Sequence, residues 1–164
     1  LEAGRLLSNM GEKGVSIVLL GDGARKESLK RRALKLRLDN VKFLSSVHKD
    51  EVAKYWSILD GAIIHLKKEP VFETVIPSKL FEAIGMGIPV LHGVRGESAE
   101  IVEEHKVGLV FEPENAKDLC KVILKFRNNS ILREEFKKNC QMHAKKYDRK
   151  NKAIEMLTIL RDAV

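Results

Sequence analysis

Apolar and polar residues divide the chain into two kinds of segment that alternate along its length. Five short runs are apolar almost throughout, which is typical of buried β-strands. Between them lie longer segments in which apolar side chains recur every three or four positions, which predicts amphipathic helices. The predicted strands are, in chain order, VSIVLLGDG, VKFLSSV, GAIIHL, IPVLHGV and VGLVFEP.

Strict alternation of strand and helix predicts a parallel sheet with helices on both faces. The predicted strands support this arrangement, because they lack the apolar–polar alternation of a sheet with one face in water. We therefore expect an α/β protein with a Rossmann-like sheet. No linker, repeat or low-complexity segment interrupts the 164 residues, which predicts one domain. The helical pattern of LEAGRLLSNMG starts at the first residue, so we expect a fragment of a longer protein.

The net charge of +7 indicates acidic partners, such as phosphates or an anionic membrane. Nucleic acid is disfavoured, because lysines and arginines are spread along the chain and no nucleic-acid-binding motif is present. No apolar run reaches the roughly 20 residues of a membrane span, and no signal-peptide pattern opens the chain. Two cysteines without CxxC spacing indicate reduced thiols in a cytosolic protein.

In such folds ligands bind where the carboxyl ends of the strands meet the following loops. Three segments of this chain lie there: residues 21–23, residues 45–48 and residues 67–78. The first, GDG, lacks the GxGxxG spacing of a dinucleotide site. It predicts either a tight turn or a backbone that lies close to a ligand.

The segment PSKLFE, residues 77–82, places a proline at a helix start. Free N–H groups at that start, with Lys79 in the first turn, form an anion-binding arrangement. Glu82 lies on the same face and could accept two hydrogen bonds from the diol of a ribose. An exposed Lys79–Glu82 ion pair explains the same spacing equally well. No metal-ligand set and no nucleophile motif is found, so we expect no metal and no catalytic group within this chain.

Four segments together resemble the donor-binding half of retaining GT-B glycosyltransferases of the group 1 family, which builds bacterial polysaccharides. They are IVLLGDG, NVKFLSSVHKDEVAKYWSILDGAIIHL, PSKLFEAIGMGIPVLHG and ESAEIVEEHKVGLVFEPENAKDL, and they cover nearly the whole chain. The PSKLFE variant resembles transferases of the O-antigen, capsule or colanic-acid type. The resemblance implies a nucleotide-sugar donor, often a UDP-linked N-acetylated hexosamine, and no cofactor.

The resemblance also implies roles for individual residues. Glu82 matches the second glutamate of the family's Glu-x7-Glu motif, which binds the ribose, whereas Thr74 stands where the first glutamate is expected, with Glu73 one position away. The implied donor-binding set is, from the strand turns to the helix, Gly21, Gly23, Ser46, Val47, Thr74, Val75, Ile76, Ser78, Lys79 and Glu82. Ser78 and Lys79 would lie against the diphosphate, residues 74–76 would face the sugar, and Ser46 and Val47 would meet the base.

Further expectations follow from the family's domain plan. The chain starts after the strand and basic loop that open this domain in the family, which predicts a gap in the sheet, a rearranged sheet or a strand-swapped oligomer. An acceptor domain, which would bind a glycan or a polyprenyl-phosphate-linked acceptor, is expected outside the chain, and residues 149–164 are expected to form a helix that packs on it. We expect the fragment to be inactive alone, and the parent to act in the cytoplasm, at the inner face of the plasma membrane.

Two other classes of protein fit the pattern. One is an enzyme like UDP-N-acetylglucosamine 2-epimerase, which shares the GT-B architecture but needs acid and base residues in the cleft. The other is a non-catalytic nucleotide-binding module.

Overall fold

The computed structural model describes residues 1–162, which fold as an α/β protein. Two short 3-10 helices, Lys49–Glu51 and Ala144–Tyr147, join longer elements. Those elements are α1 Glu2–Asn9, β1 Ile17–Leu20, α2 Lys26–Lys35, β2 Val41–Leu44, α3 Val52–Trp56, β3 Ala62–His65, α4 Pro70–Glu73, α5 Ser78–Gly85, β4 Val90–Gly93, α6 Glu97–Glu104, β5 Gly108–Val110, α7 Ala116–Asn128, α8 Ser130–His143 and α9 Arg149–Asp162.

All strand pairs are parallel, but the strands form two sheets. In the first sheet β1 pairs with β2, with Ile17 opposite Val41. In the second sheet β4 lies between β3 and β5, with Val90 opposite both Ala62 and Gly108. The α/β prediction is confirmed, and the division of the strands into two sheets agrees with the predicted gap.

Three clusters of buried side chains hold the layers together. The first packs Leu80 and Ile84 of α5 against Val90 and Val102, on one face of the three-stranded sheet. The second packs α1 and α7 on its other face, around Leu91. The third is small and lies under α2; its buried members are Ala33, Leu38 and Val41. The three-stranded sheet is therefore covered on both faces.

The expectation that the first strand is buried is wrong. Val18, Leu19 and Leu20 of β1 expose 36%, 39% and 37% of their surface. The apolar run does form a strand, but within residues 1–162 β1 has a hydrogen-bonded neighbour on one edge alone. A parallel strand is buried by its neighbours and by helices on both faces, and β1 lacks part of that cover.

The segment between β3 and α5 differs from the loop that the sequence predicted. It contains the one-turn helix α4, which has Pro70 as its first residue. Proline is tolerated at that position because the N–H it lacks has no partner inside a helix. Pro77 is the N-cap residue of α5, so the predicted helix start is confirmed to within one residue.

The predicted helix over residues 149–164 is found as α9, and its last two residues lie outside the described part. Ile154, Leu157 and Leu160 of α9 are each about half exposed. The prediction that this helix packs on a further domain stays a prediction.

Candidate functional site

The turns after β1 and β2 are joined by one carboxylate. Asp22 accepts a hydrogen bond from the backbone N–H of Ser46 at 2.9 Å. Its other oxygen accepts one from the Lys26 ammonium at 2.6 Å. The Lys26 hydrogen bond, and then the Ser46 hydrogen bond, hold the pKa of Asp22 far below its usual range. Asp22 is therefore a fixed negative charge at this edge of the sheet.

The two glycines of this turn have different constraints. Gly21 has φ +134°, a conformation that favours glycine, and its N–H donates to the carbonyl of Leu44. The carbonyl of Gly23 accepts from the N–H of Lys26 as α2 begins. A Cβ on either glycine would meet no atom within 4 Å, so open space borders this turn. Ser46 is exposed, and Val47 is partly buried beside it.

The start of α5 carries the pair that the sequence singled out. The Lys79 ammonium lies 2.7 Å from the Glu82 carboxylate, with their side chains 62% and 37% exposed. The alternative of an exposed ion pair is therefore realised in this state. A ribose role for Glu82 would require its carboxylate to exchange this partner for the diol. Such an exchange is inexpensive because an exposed ion pair contributes about 0 to 1 kcal/mol.

The residues before α5 lie along one short segment. The Thr74 hydroxyl donates to the carbonyl of Val71 at 3.0 Å, which closes α4. Val75 is exposed, whereas Ile76 packs against the core beneath α5. Ser78 is the first residue of α5 and is exposed. Residues 74–76 thus form an accessible bridge between the two helices.

A network of charges that the sequence analysis missed positions α4. Arg95, which follows β4, donates two hydrogen bonds to Glu112 at 3.2 and 2.6 Å. Glu112 also pairs with Lys68 at 2.8 Å, and Arg95 lies 3.8 Å from Glu73. Lys68 and Arg95 both lower the pKa of Glu112. These residues form no sequence motif. The one signal in the sequence that could have indicated them is their position after the ends of predicted strands.

The same region has one close backbone approach. Gly96 has φ +77°, and a Cβ built on it would lie 2.1 Å from the carbonyl oxygen of Glu73. Only glycine fits there, so the turn after β4 fixes the position of α4. The side chain of Glu73, the neighbour of the expected first glutamate, lies 3.8 Å from Arg95.

The predicted site residues fall into two groups on either side of the break between the sheets. Gly21, Gly23, Ser46 and Val47 lie beside the two-stranded sheet, and the other six lie before or within α5, beside the three-stranded one. Within residues 1–162 no hydrogen bond or ion pair joins the two groups. In the same residues no cluster of three His, Cys, Asp or Glu side chains could hold a metal ion. Nor does any helix of this part of the chain have the length and apolar character of a membrane span.

The sequence profile of the family described as "Glycosyl transferases group 1" matches residues 1–143. The match covers most of the chain, and the chain therefore belongs to the group 1 glycosyltransferase family. A search of curated protein sequences finds no match.

Several solved structures share the fold. Anabaena HepE, solved in complex with UDP-glucose, has a TM-score of 0.77 and 18% identity, over 98% of this chain and 44% of HepE. The C-terminal domain of LpcC, a group 1 glycosyltransferase from Francisella tularensis, has a TM-score of 0.71 and 20% identity, over 90% of this chain and 77% of that one. WaaG, a glycosyltransferase of lipopolysaccharide biosynthesis, has a TM-score of 0.72 and 23% identity, over 90% of this chain and 38% of WaaG.

These likenesses confirm the predicted fold, the Rossmann-like C-terminal half of the GT-B architecture. The chain spans less than half the length of WaaG and of HepE. The site residues and the absence of a cofactor stay predictions.

Proposed function

We propose that this chain is the nucleotide-sugar-binding domain of a retaining glycosyltransferase that acts in cell-surface polysaccharide biosynthesis. The donor is a UDP-sugar, and the acceptor is a glycan or a polyprenyl-phosphate-linked glycan bound by a further domain. The transferred group is a hexosyl or N-acetylhexosaminyl unit. The enzyme acts in the cytoplasm, at the inner face of the plasma membrane, and needs no metal.

The single observation that carries the proposal is the family match over residues 1–143, a range that includes the segment PSKLFE at the start of α5. This start lies at the carboxyl end of the three-stranded sheet, where α/β folds bind ligands. The exposed N–H groups of a helix start and the Lys79 ammonium suit a diphosphate. HepE binds UDP-glucose on the same fold, which supports a UDP-linked sugar as donor.

Each group of site residues has a part in this proposal. Glu82 accepts the hydroxyls of the ribose after leaving Lys79, which turns to the diphosphate. Ser46 and Val47 meet the base, with Asp22 holding the Ser46 backbone in place. Residues 74–76, fixed through Gly96, face the sugar. Stabilisation of the departing diphosphate by N–H groups and cations, rather than attack by a protein nucleophile, is the chemistry such a site supplies.

Ligand-observed NMR, which detects weak binding, tests the proposal directly. The chain is titrated with UDP, GDP and UDP-N-acetylglucosamine, and we expect the UDP compounds to bind more tightly than GDP. Glu82→Ala is expected to lose at least about tenfold in affinity, because a diol would lose a charged acceptor worth 1.5 kcal/mol or more.

A matched control separates the ribose role from the loss of an ion pair. Lys152 and Glu155 of α9 form the same type of exposed pair, three residues apart, at 2.6 Å. Glu155→Ala should leave nucleotide affinity unchanged. Equal affinity in Glu82→Ala and the wild-type chain would disprove the ribose role, and no binding of any nucleotide would overturn donor binding by this chain.

A further inference from the structure

The one-turn helix α4 is not held in place by burial. None of its four residues is buried, and none belongs to the three clusters of buried side chains. Val71 of α4 exposes 65% of its surface. Within residues 74–76, which join α4 to α5, Ile76 alone packs against one of these clusters. The position of α4, and of the segment that follows it, must therefore be set by other contacts.

Glu112 joins the three loops that leave the carboxyl ends of the three-stranded sheet. Lys68 lies in the loop after β3, Arg95 lies in the turn after β4, and Glu112 itself follows the end of β5 by two residues. The Glu112 carboxylate lies 2.8 Å from the Lys68 ammonium. It also accepts two hydrogen bonds from Arg95, at 2.6 and 3.2 Å. One carboxylate thus ties together loops that are far apart in the sequence.

The backbone of Glu112 is fixed to a long helix. Its N–H donates to the Asp118 carboxylate at 2.8 Å. The N–H of Asp118 in turn donates, at 3.0 Å, to the side chain of Asn115, the N-cap residue of α7. Because α7 has 13 residues and packs in the cluster around Leu91, its start is a firm support for Glu112.

Both ends of α4 are linked to the segment that contains Glu112. At the end of α4 the Glu73 carboxylate lies 3.8 Å from Arg95, which is bound to Glu112. Just before α4 the ammonium of Lys68 pairs with Glu112, and the backbone N–H of Lys68 donates to the Glu114 carboxylate at 3.0 Å. The position of α4 is thus transmitted from α7 through these charged side chains.

These contacts are better suited to orienting α4 than to stabilising the whole fold. The side chains of Arg95 and Glu112 are 46% and 33% exposed, and ion pairs with that much exposure contribute little to stability. A carboxylate that accepts two hydrogen bonds from one guanidinium nevertheless fixes the angle between the groups as well as their distance. Loss of the network should therefore alter where α4 lies more than whether the chain folds.

We propose that Glu112 is a positioning residue for the sugar part of the donor. Through Arg95 and Lys68 it holds α4 in the place from which residues 74–76 face the sugar. The inference rests on the proposed function, which assigns residues 74–76 to the sugar, and it adds a residue outside the implied donor-binding set.

The nucleotide part of the donor should depend much less on Glu112. Ser46 and Glu82, which are assigned to the base and the ribose, have their own supports in Asp22 and in the buried face of α5. Within residues 1–162 no hydrogen bond or ion pair joins Ser46 or Glu82 to Glu112. The contributions of sugar and nucleotide to affinity can therefore be separated by experiment.

Ligand-observed NMR with UDP and UDP-glucose makes this separation, because the two ligands share the nucleotide. The affinity of the 164-residue chain is measured for both, and their ratio reports the contribution of the sugar. Glu112→Ala should weaken UDP-glucose binding by about fivefold relative to UDP, because a segment that is no longer pre-positioned must be ordered on binding. Its affinity for UDP should stay within about twofold of the wild-type value.

Three further variants make the test specific. Glu112→Gln keeps an acceptor oxygen but loses the charge, so its effect on the ratio should be smaller than that of alanine. Glu82→Ala should weaken both ligands by a similar factor, because the ribose is common to them. Glu12→Ala removes another arginine–glutamate pair, with Arg127 in the last turn of α7 at 2.6 Å, and should change neither affinity.

The outcomes distinguish this inference from the function on which it rests. If UDP binds and the ratio is unchanged in Glu112→Ala, the inference is wrong and donor binding stands. An equal loss for both ligands in that variant would assign Glu112 a purely structural role, and a changed ratio in Glu12→Ala would show that any lost ion pair has this effect; either result overturns the inference. No binding of either ligand to the wild-type chain would contradict the proposed function and this inference together.

Discussion

The two sheets of this domain are both built from mostly apolar strands, but they differ in how well those strands are buried. Val90, at the start of β4, is fully buried, whereas Val18 of β1 is 36% exposed. In the described part of the chain β4 has a strand on each side and helices on both faces, but β1 has a strand on one side only. An apolar run therefore predicts a strand, and the neighbours of that strand decide how much its side chains stabilise the fold.

The largest expected effect tests how tightly the three-stranded sheet is packed. A Cβ added at Gly108 of β5 would lie 1.9 Å from the carbonyl oxygen of Val90 in the neighbouring strand. The backbone of β4 at Val90 cannot move aside without breaking its pairing with β5. We expect Gly108→Ala to lower the free energy of unfolding by at least about 4 kcal/mol, measured by urea denaturation.

The matched substitution lies beside the two-stranded sheet. A Cβ at Gly23 would meet no atom within 4 Å, and Gly23 has no positive φ. Gly23→Ala should therefore change the free energy of unfolding by less than about 1 kcal/mol, in either direction. Similar losses at the two glycines would mean that the two regions are packed alike.

The second prediction compares two leucines. Leu80 of α5 is fully buried against the three-stranded sheet, and Leu20 of β1 is 37% exposed. Leu80→Ala should lower the free energy of unfolding by about 3 to 4 kcal/mol, through lost burial and a cavity. Leu20→Ala should lower it by less than about 1.5 kcal/mol, because much of its surface is already in water. Urea denaturation measures both, and an equal loss would contradict the comparison.

The sequence indicates the strands and helices well because periodicity is local. All five strands and the start of α5 were predicted, since each depends on residues within a few positions. Which strand edges pair is not local, so the exposure of β1 could not be read from IVLL. The helix α4 was missed because one turn is too short to show a period.

Within the candidate site the sequence indicated segments better than contacts. The ion pair between Asp22 in the turn after β1 and Lys26 at the start of α2 was not predicted, because Asp22 lies outside the helix and helical spacing does not apply to it. Likewise, nothing near Gly96 in the sequence shows that the carbonyl of Glu73 lies against it. Contacts of that kind appear only when separate loops meet at one edge of the sheet.

The third prediction concerns pH and the core of the three-stranded sheet. His92 of β4 is fully buried, its Nε2 lies 2.9 Å from the Ser98 hydroxyl, and its Nδ1 has no partner within the described residues. Burial lowers the pKa of His92 from 6.5 to about 4. The unfolded chain therefore takes up a proton at a higher pH than the folded one, which favours unfolding as the solution becomes acidic.

The free energy of unfolding should consequently fall as pH decreases from 6.5 to 4, and His92 should account for at most about 3 kcal/mol of that fall. Denaturation at several pH values measures it, with His92→Gln as the comparison. The variant should show a shallower dependence in this window. A slope equal to that of the wild-type chain would assign the effect to other groups, namely carboxylates and His105, whose pKa burial also lowers.

In the comparison with the smallest expected effects, the larger loss of stability is expected beside the two-stranded sheet. Lys26 and Lys79 both lie in the first turn of a helix that follows a strand. Lys26, beside the two-stranded sheet, is only 13% exposed, pairs with Asp22, and donates to the Leu44 carbonyl at 3.1 Å. Lys79, beside the three-stranded sheet, is 62% exposed and contacts only Glu82 among the charged groups of residues 1–162.

Lys26→Ala should lower the free energy of unfolding by about 1 kcal/mol, because it removes a hydrogen bond that joins the turns after β1 and β2. Lys79→Ala should lower it by only a few tenths of a kcal/mol, because an exposed pair contributes little. Urea denaturation of the two variants measures the difference. A larger loss at Lys79 would show that its pair with Glu82 is structural. A negligible loss would leave both side chains free to serve a ligand.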